Sequence, residues 1–171
     1  MSELIYRATE KTSTVIPDPY EMDEIEPHAD GNNLLWFGHK VNLKVLGSMP
    51  KIHDIKIVTG PGVVKGATFY SPQNLQRALL EANIALFPTV EGGKYKSNNR
   101  VLNAIRMGVF PVCGNHPSYE EFKMVWQGNV HTGIRWAKHF KSDLNEAQNQ
   151  IREQYSPETI GGLWNQALSN L

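Results

Sequence analysis

Cysteine is all but missing: Cys113 is the only one in 171 residues. An internal disulfide framework is excluded, and so is a cysteine-rich metal centre. An excess of either charge is missing too. Lysine plus arginine and aspartate plus glutamate number 17 each, for a formal net charge of zero. Bulk electrostatics therefore points to neither nucleic acid nor an acidic membrane, although local clusters can still hold anions. No apolar stretch approaches a membrane span. The opening "MSELIYRATEKTST" lacks the apolar centre of a secretory signal. The six histidines form no H-E-x-x-H arrangement, and no Asp-x-Asp presents itself as a divalent-metal clamp. G-x-G-x-x-G and the Walker lysine motif are absent, which disfavours the nucleotide folds built on them. No metal and no cofactor is expected. Cys113 sits in the apolar run "FPVCG" and reads as a small buried thiol, with His116 as the one base near it in sequence. A reducing, cytoplasmic setting is the expectation.

What is present suits one soluble globular domain, with 40% apolar and 20% charged residues. Residues 1–13 read as a linker or the end of a preceding segment, and 14–171 as a single domain, so an excised or truncated chain is expected. Short apolar runs at 34–38, 54–58, 84–87 and 109–113 predict the strands of one parallel sheet. "VVKGATFY" predicts a further, edge-like strand. Residues 13–21 are β-prone and are closed by Pro17 and Pro19, and the acidic stretch 21–32 reads as a loop. A short helix is expected around Leu43–Leu46. Ser71 is placed to cap a helix with Pro72 at its first position. Val101, Leu102, Ile105 and Met107 face the core of the next helix, which Gly108 stops. Pro111 predicts an outer or irregular strand position. Residues 117–126 and the segments after 129 predict further helices. The alternation of strand and helix gives an α/β fold: a Rossmann-like three-layer α/β/α sandwich with a mostly parallel sheet.

In that architecture ligands sit at the carboxyl ends of the strands. The segments "FGHK", "VTGPG", "PTVEGG" and "CGNHPS" all fall there. The stretch "EGGKYKSNNR" brings Gly92, Gly93, Lys94, Lys96, Ser97, Asn98, Asn99 and Arg100 directly ahead of a helix. Unpaired amides and the positive dipole end of a helix suit a diphosphate, and the glycines let backbone approach it. A capped helix on a solvated face is the other reading of the same residues. His39 and Lys40 are within reach of a phosphate by position, and Glu91 is an acceptor for sugar hydroxyls.

Taken in order, "IPDPYE", "LLWFGH", "NLQRALLEANIALFPT", "YKSNNRVLNAIRMGVFPV", "PSYEEF" and the tail "QIREQYSPETIGGLWNQAL" resemble the C-terminal half of GT-B glycosyltransferases. The closest likeness is to the retaining group 1 enzymes, and it runs from about residue 14 to 168. The resemblance implies a domain that binds a nucleoside-diphosphate sugar of unspecified base, beside a missing N-terminal domain that binds the acceptor. It implies phosphate contacts from Gly38, His39, Lys40, Lys96, Ser97, Asn98 and Asn99. It implies sugar contacts from Glu91, Gly92 and Gly93, and nucleoside contacts from Thr59, Gly60 and Asn103, with the segment after Phe69 near the base. Catalytic residues are not assigned, and no protein-bound metal is implied. The chain departs from the family where many members carry two glutamates eight positions apart: Tyr95 and Asn103 stand there. The basic pair after the first strand is Lys40 and Lys44, without an arginine.

Two readings of another class remain beside the transferase: a non-catalytic nucleotide or sugar-phosphate binder, and a diverged interaction module. The last helix carries Trp164 and Leu168, which in the family face the missing domain. Left partly exposed, they predict a homodimer of this chain. Sedimentation at several concentrations should show mass rising with concentration, and a strict monomer removes the expectation.

Overall fold

The computed structural model describes residues 15–47, 54–62, 64–88, 97–122, 126–137, 139 and 141–169. The strands are β1 (Leu34–Phe37), β2 (Ile55–Thr59), β3 (Thr68–Phe69), β4 (Ile84–Phe87), β5 (Phe110–Cys113) and β6 (Trp126–Gln127). They form one sheet in the order β3-β2-β1-β4-β5-β6, and every pairing is parallel. The helices are α1 (Lys44–Gly47), α2 (Pro72–Glu81), α3 (Asn99–Arg106), α4 (Val130–Ala137), α5 (Lys141–Gln154) and α6 (Pro157–Ser169). Single 3-10 turns lie at Lys40–Asn42 and Pro117–Tyr119. The α/β expectation holds, with helices on both faces of the sheet.

Alternation along the strands builds two cores. Leu35, Phe37, Ala85 and Phe87 turn to one face, where they meet α2, α3 and α5. Leu34, Ile84, Leu86, Phe110 and Val112 turn to the other, where Ala137, Val130 and Ile134 of α4 cover them. The helices start where local chemistry allows. Ser71 Oγ accepts from the Asn74 amide at 3.1 Å, and Pro72 needs no donor at the first position. Leu75, Ala78 and Leu79 then share the buried face of α2. In α3 Val101, Leu102, Ala104 and Ile105 are all buried, because the sheet takes one side and α5 another.

Three expectations change. Pro111 is not at an outer position: it is buried inside β5, opposite Ala85. Phe110 N donates to Asn83 O, so the next residue directs its backbone toward β6. The β6 pairing begins only at Val112, so no ladder bond is lost at the proline. Residues 117–126 are not one helix. The 3-10 turn Pro117–Tyr119 is followed by β6, an edge strand that exists by pairing with Val112 and Cys113. Among residues 15–21 no strand forms, and two prolines deprive a ladder of its donors. The expected linker at 1–13 lies outside the described residues.

The acidic stretch after Tyr20 is an ordered strap. Arg106, nearly buried, lies with its guanidinium 4.1 Å from the Tyr20 ring centroid, donates from Nε to Met22 O at 3.2 Å, and pairs with Glu24. Glu24 also takes Arg152 from α5. The buried Gln148 donates to Ile25 O at 2.8 Å and Ile105 O at 2.9 Å. Leu163, Trp164 and Leu168 of α6 are exposed. Among the described residues no helix is long and apolar enough to cross a membrane.

Gly108 follows α3 at φ +70°, and a Cβ there would meet Glu26 O at 2.4 Å. Gly62 has φ +76° with open space around it. Gly108→Ala is expected to cost about 2–3 kcal/mol, strain plus displacement of the strap, and Gly62→Ala about 1 kcal/mol. Urea unfolding of both variants checks the difference.

Candidate functional site

Strand order reverses between β1 and β4, and the crevice opens there, at the carboxyl ends of the strands. A cavity of about 420 Å³ occupies it. Gly38 and His39 enter from the end of β1, Gly60 from β2, Phe69 and Tyr70 from β3, and Asn99, Arg100 and Asn103 from the start of α3. Phe37 and Leu75 give it an apolar floor, and Glu21 of the strap closes one edge.

The predicted residues within the described range divide between two cavities and the strand exits. Gly38, His39, Gly60, Asn99 and Asn103 are brought together in this cavity. His39 Nδ1 accepts from the Val41 amide at 3.4 Å and caps the 3-10 turn. Lys40 lies beside the cavity, since a Cβ on Gly60 would come 3.9 Å from its Cδ. Among the described residues its ammonium makes no ion pair. Thr59 does not line the cavity. It is buried, and its hydroxyl donates to Gly38 O at 2.9 Å, tying the exits of β2 and β1 together. Ser97 and Asn98 open instead onto a second cavity of about 430 Å³, with Asp18, Glu121 and Tyr155, and Asn99 touches both. Glu91, Gly92, Gly93 and Lys96, like Lys94 and Tyr95, lie outside the described residues.

The start of α3 is open. Asn98 stands at the cap position without a side-chain cap bond. Its amide nitrogen donates instead to Glu121 and, at 2.9 Å, to the Tyr155 hydroxyl. Asn99 is held by Asp18 at 2.9 Å.

Arg100, the last cation of the stretch ahead of the helix, lines the cavity. Its Nη1 donates to Phe37 O at 3.1 Å, and its guanidinium lies 5.4 Å from the Phe87 ring centroid. A Cβ on Gly38 would come 2.8 Å from Nη1, so a side chain there would push the guanidinium from its present place. No carboxylate pairs with Arg100 among the described residues. Two acidic groups that feel its charge are nevertheless raised. Burial pushes the Cys113 thiol well above its ordinary value, and the Arg100 charge offsets only part of this. Burial likewise raises the Tyr119 hydroxyl against the pull of Arg100. Cys113 is thus inert as a nucleophile, and Arg100 keeps an uncompensated charge facing the crevice.

Asn103 is nine-tenths buried, and among the described residues its side-chain amide has no hydrogen-bond partner. A buried amide left unpaired costs free energy unless a ligand or water completes it. Glu21 was not legible as a site residue, because only folding brings the strap to the crevice. Among the described residues no group of three or more histidine, cysteine or acidic side chains is arranged to hold a metal. No family model matches the chain, and no curated protein matches it.

The raised thiol and hydroxyls fix a pH dependence. Tyr155 is also raised, by burial and then by its bond to Glu121. The folded chain keeps these protons where the unfolded chain loses them, so their contribution is complete at neutral pH. It is lost as pH rises above the ordinary values of 9.0 for Cys113 and 10.0 for the tyrosines. Urea midpoints should fall through that range, and Cys113→Ala should flatten the fall that begins near 9.0.

Proposed function

We propose that the crevice binds the diphosphate of a nucleoside-diphosphate sugar, and that the chain is the donor-binding half of a retaining GT-B glycosyltransferase. The observation that carries the reading is Arg100: a guanidinium without a carboxylate partner among the described residues, at the uncapped start of α3, in the cavity at the strand-order reversal. Helix amides, a fixed cation and the free ammonium of Lys40 together suit an anion. Asn103 adds a buried amide able to donate to and accept from a ribose. The order of sequence segments shared with group 1 enzymes supports the same reading.

Transfer breaks the bond between the anomeric carbon and the leaving diphosphate, where negative charge grows. Donors fixed before reaction stabilise that charge without reorganising. Arg100 is braced by Phe37 O and the Phe87 ring, so its orientation is set in advance. Lys40 adds a point charge on a flexible four-carbon stem. A second domain would orient the acceptor across the cleft. A cytoplasmic setting follows from this reading, because nucleotide sugars are supplied there to such enzymes.

Titration with UDP, GDP and ADP tests the proposal. At least one should bind at up to millimolar concentration. Lys40→Ala and Lys96→Ala should each weaken diphosphate binding about tenfold or more, a charged-contact loss of about 1.5–3 kcal/mol, and leave the bare nucleoside unaffected. Asn103→Ala should weaken nucleoside and diphosphate alike. If no diphosphate shifts any amide signal, donor binding is wrong for this chain.

A further inference from the structure

Glu21 belongs to no hydrogen bond or ion pair among the described residues, and yet its backbone is held on both sides. Tyr20 N donates to Tyr155 O at 3.0 Å and its ring lies 4.1 Å from the Arg106 guanidinium. Met22 O accepts from Arg106 Nε at 3.2 Å. A free carboxylate is thus carried on a fixed stretch of backbone at the cavity, which the buried amide of Asn103, unpartnered among the described residues, also lines. Among the described residues that line the cavity it is the one acid.

The charges around it restrict what it can bind. Arg100 in the same cavity and Lys40 beside it repel a cationic ligand group. A phosphate is repelled by Glu21 itself. Neutral hydrogen-bond donors remain, and a carboxylate is acceptor-only with two oxygens. Two adjacent hydroxyls match it, each making a charge-assisted bond. The exposed rings of Phe69 and Tyr70 line the same cavity and offer flat apolar surface for a base. The diol next to a base is that of its ribose.

We infer that Glu21 is a specificity-determining residue that accepts both hydroxyls of a ribose, with Asn103 as the neutral partner, so that the site selects ribonucleotides over deoxyribonucleotides. The carboxylate absent from position 103 is supplied by the strap rather than by α3. The inference rests on the nucleoside-diphosphate reading and adds to it the residue that reads the sugar.

The test titrates the full chain with UDP, GDP and ADP and with their 2′-deoxy counterparts. The native chain should bind a ribonucleotide about tenfold or more tightly than its deoxy form, because a site built around a hydroxyl rejects the analogue lacking it. Glu21→Ala should remove that preference, and Glu21→Gln should reduce it, with melting curves unchanged since Glu21 is exposed. Equal binding of ribo and deoxy forms by the native chain overturns the assignment while the diphosphate reading stands. So does a preference that survives in Glu21→Ala. Failure of every diphosphate to bind overturns both.

Discussion

Crossovers between parallel strands are right-handed, and much of this molecule follows from that. Going from β1 to β2 and β3 the chain moves one way along the sheet. After β3 it returns past β1 to β4 and moves the other way. The handedness then sends α2 and α3 to the same face, and both pack in one core. At the reversal the connections diverge, and among the described residues a cavity opens between the strand exits and the start of α3. The cavity, the start of α3 and the exits of β1 to β3 meet there as a consequence of handedness, before any side chain is considered.

Two arginines of α3 show how the helix divides its work. Arg106, at the buried end, is matched by Glu24 and by the Tyr20 ring, so its charge is spent on holding the strap. Arg100, at the open end, leans on an aromatic face and a carbonyl and meets no carboxylate among the described residues. A compensated cation stabilises structure, and an uncompensated one in a crevice attracts an anion. The strap fixed by the first arginine delivers Glu21 to the cavity edge shared with the second.

The central strands were legible because β1, β4 and β5 are covered on both faces, and such strands read as unbroken apolar runs. The start of α2 was legible from Ser71 and Pro72, whose effects are local. The edge strand β6 was not, because two residues become a strand only by pairing with β5. Pro111 was misread for the same reason: whether a missing donor matters depends on where the neighbouring strand begins. In the site, positions at strand ends were legible from topology. The commitment of Asn98 was not, since its partners Glu121 and Tyr155 stand 23 and 57 residues away. Asn103 was legible by spacing, and its missing partner only in three dimensions.

The solitary thiol has a practical corollary. Cys113 is fully buried at the end of β5 and holds its proton strongly. Thiol reagents act on the thiolate, so the native chain presents them with almost nothing at neutral pH. It is already a silent background for site-directed labelling. A cysteine introduced on the exposed face of α6 or along the rim of the crevice becomes the single addressable point, and a fluorophore or spin label placed there reports on that point alone, with no native residue to be removed first.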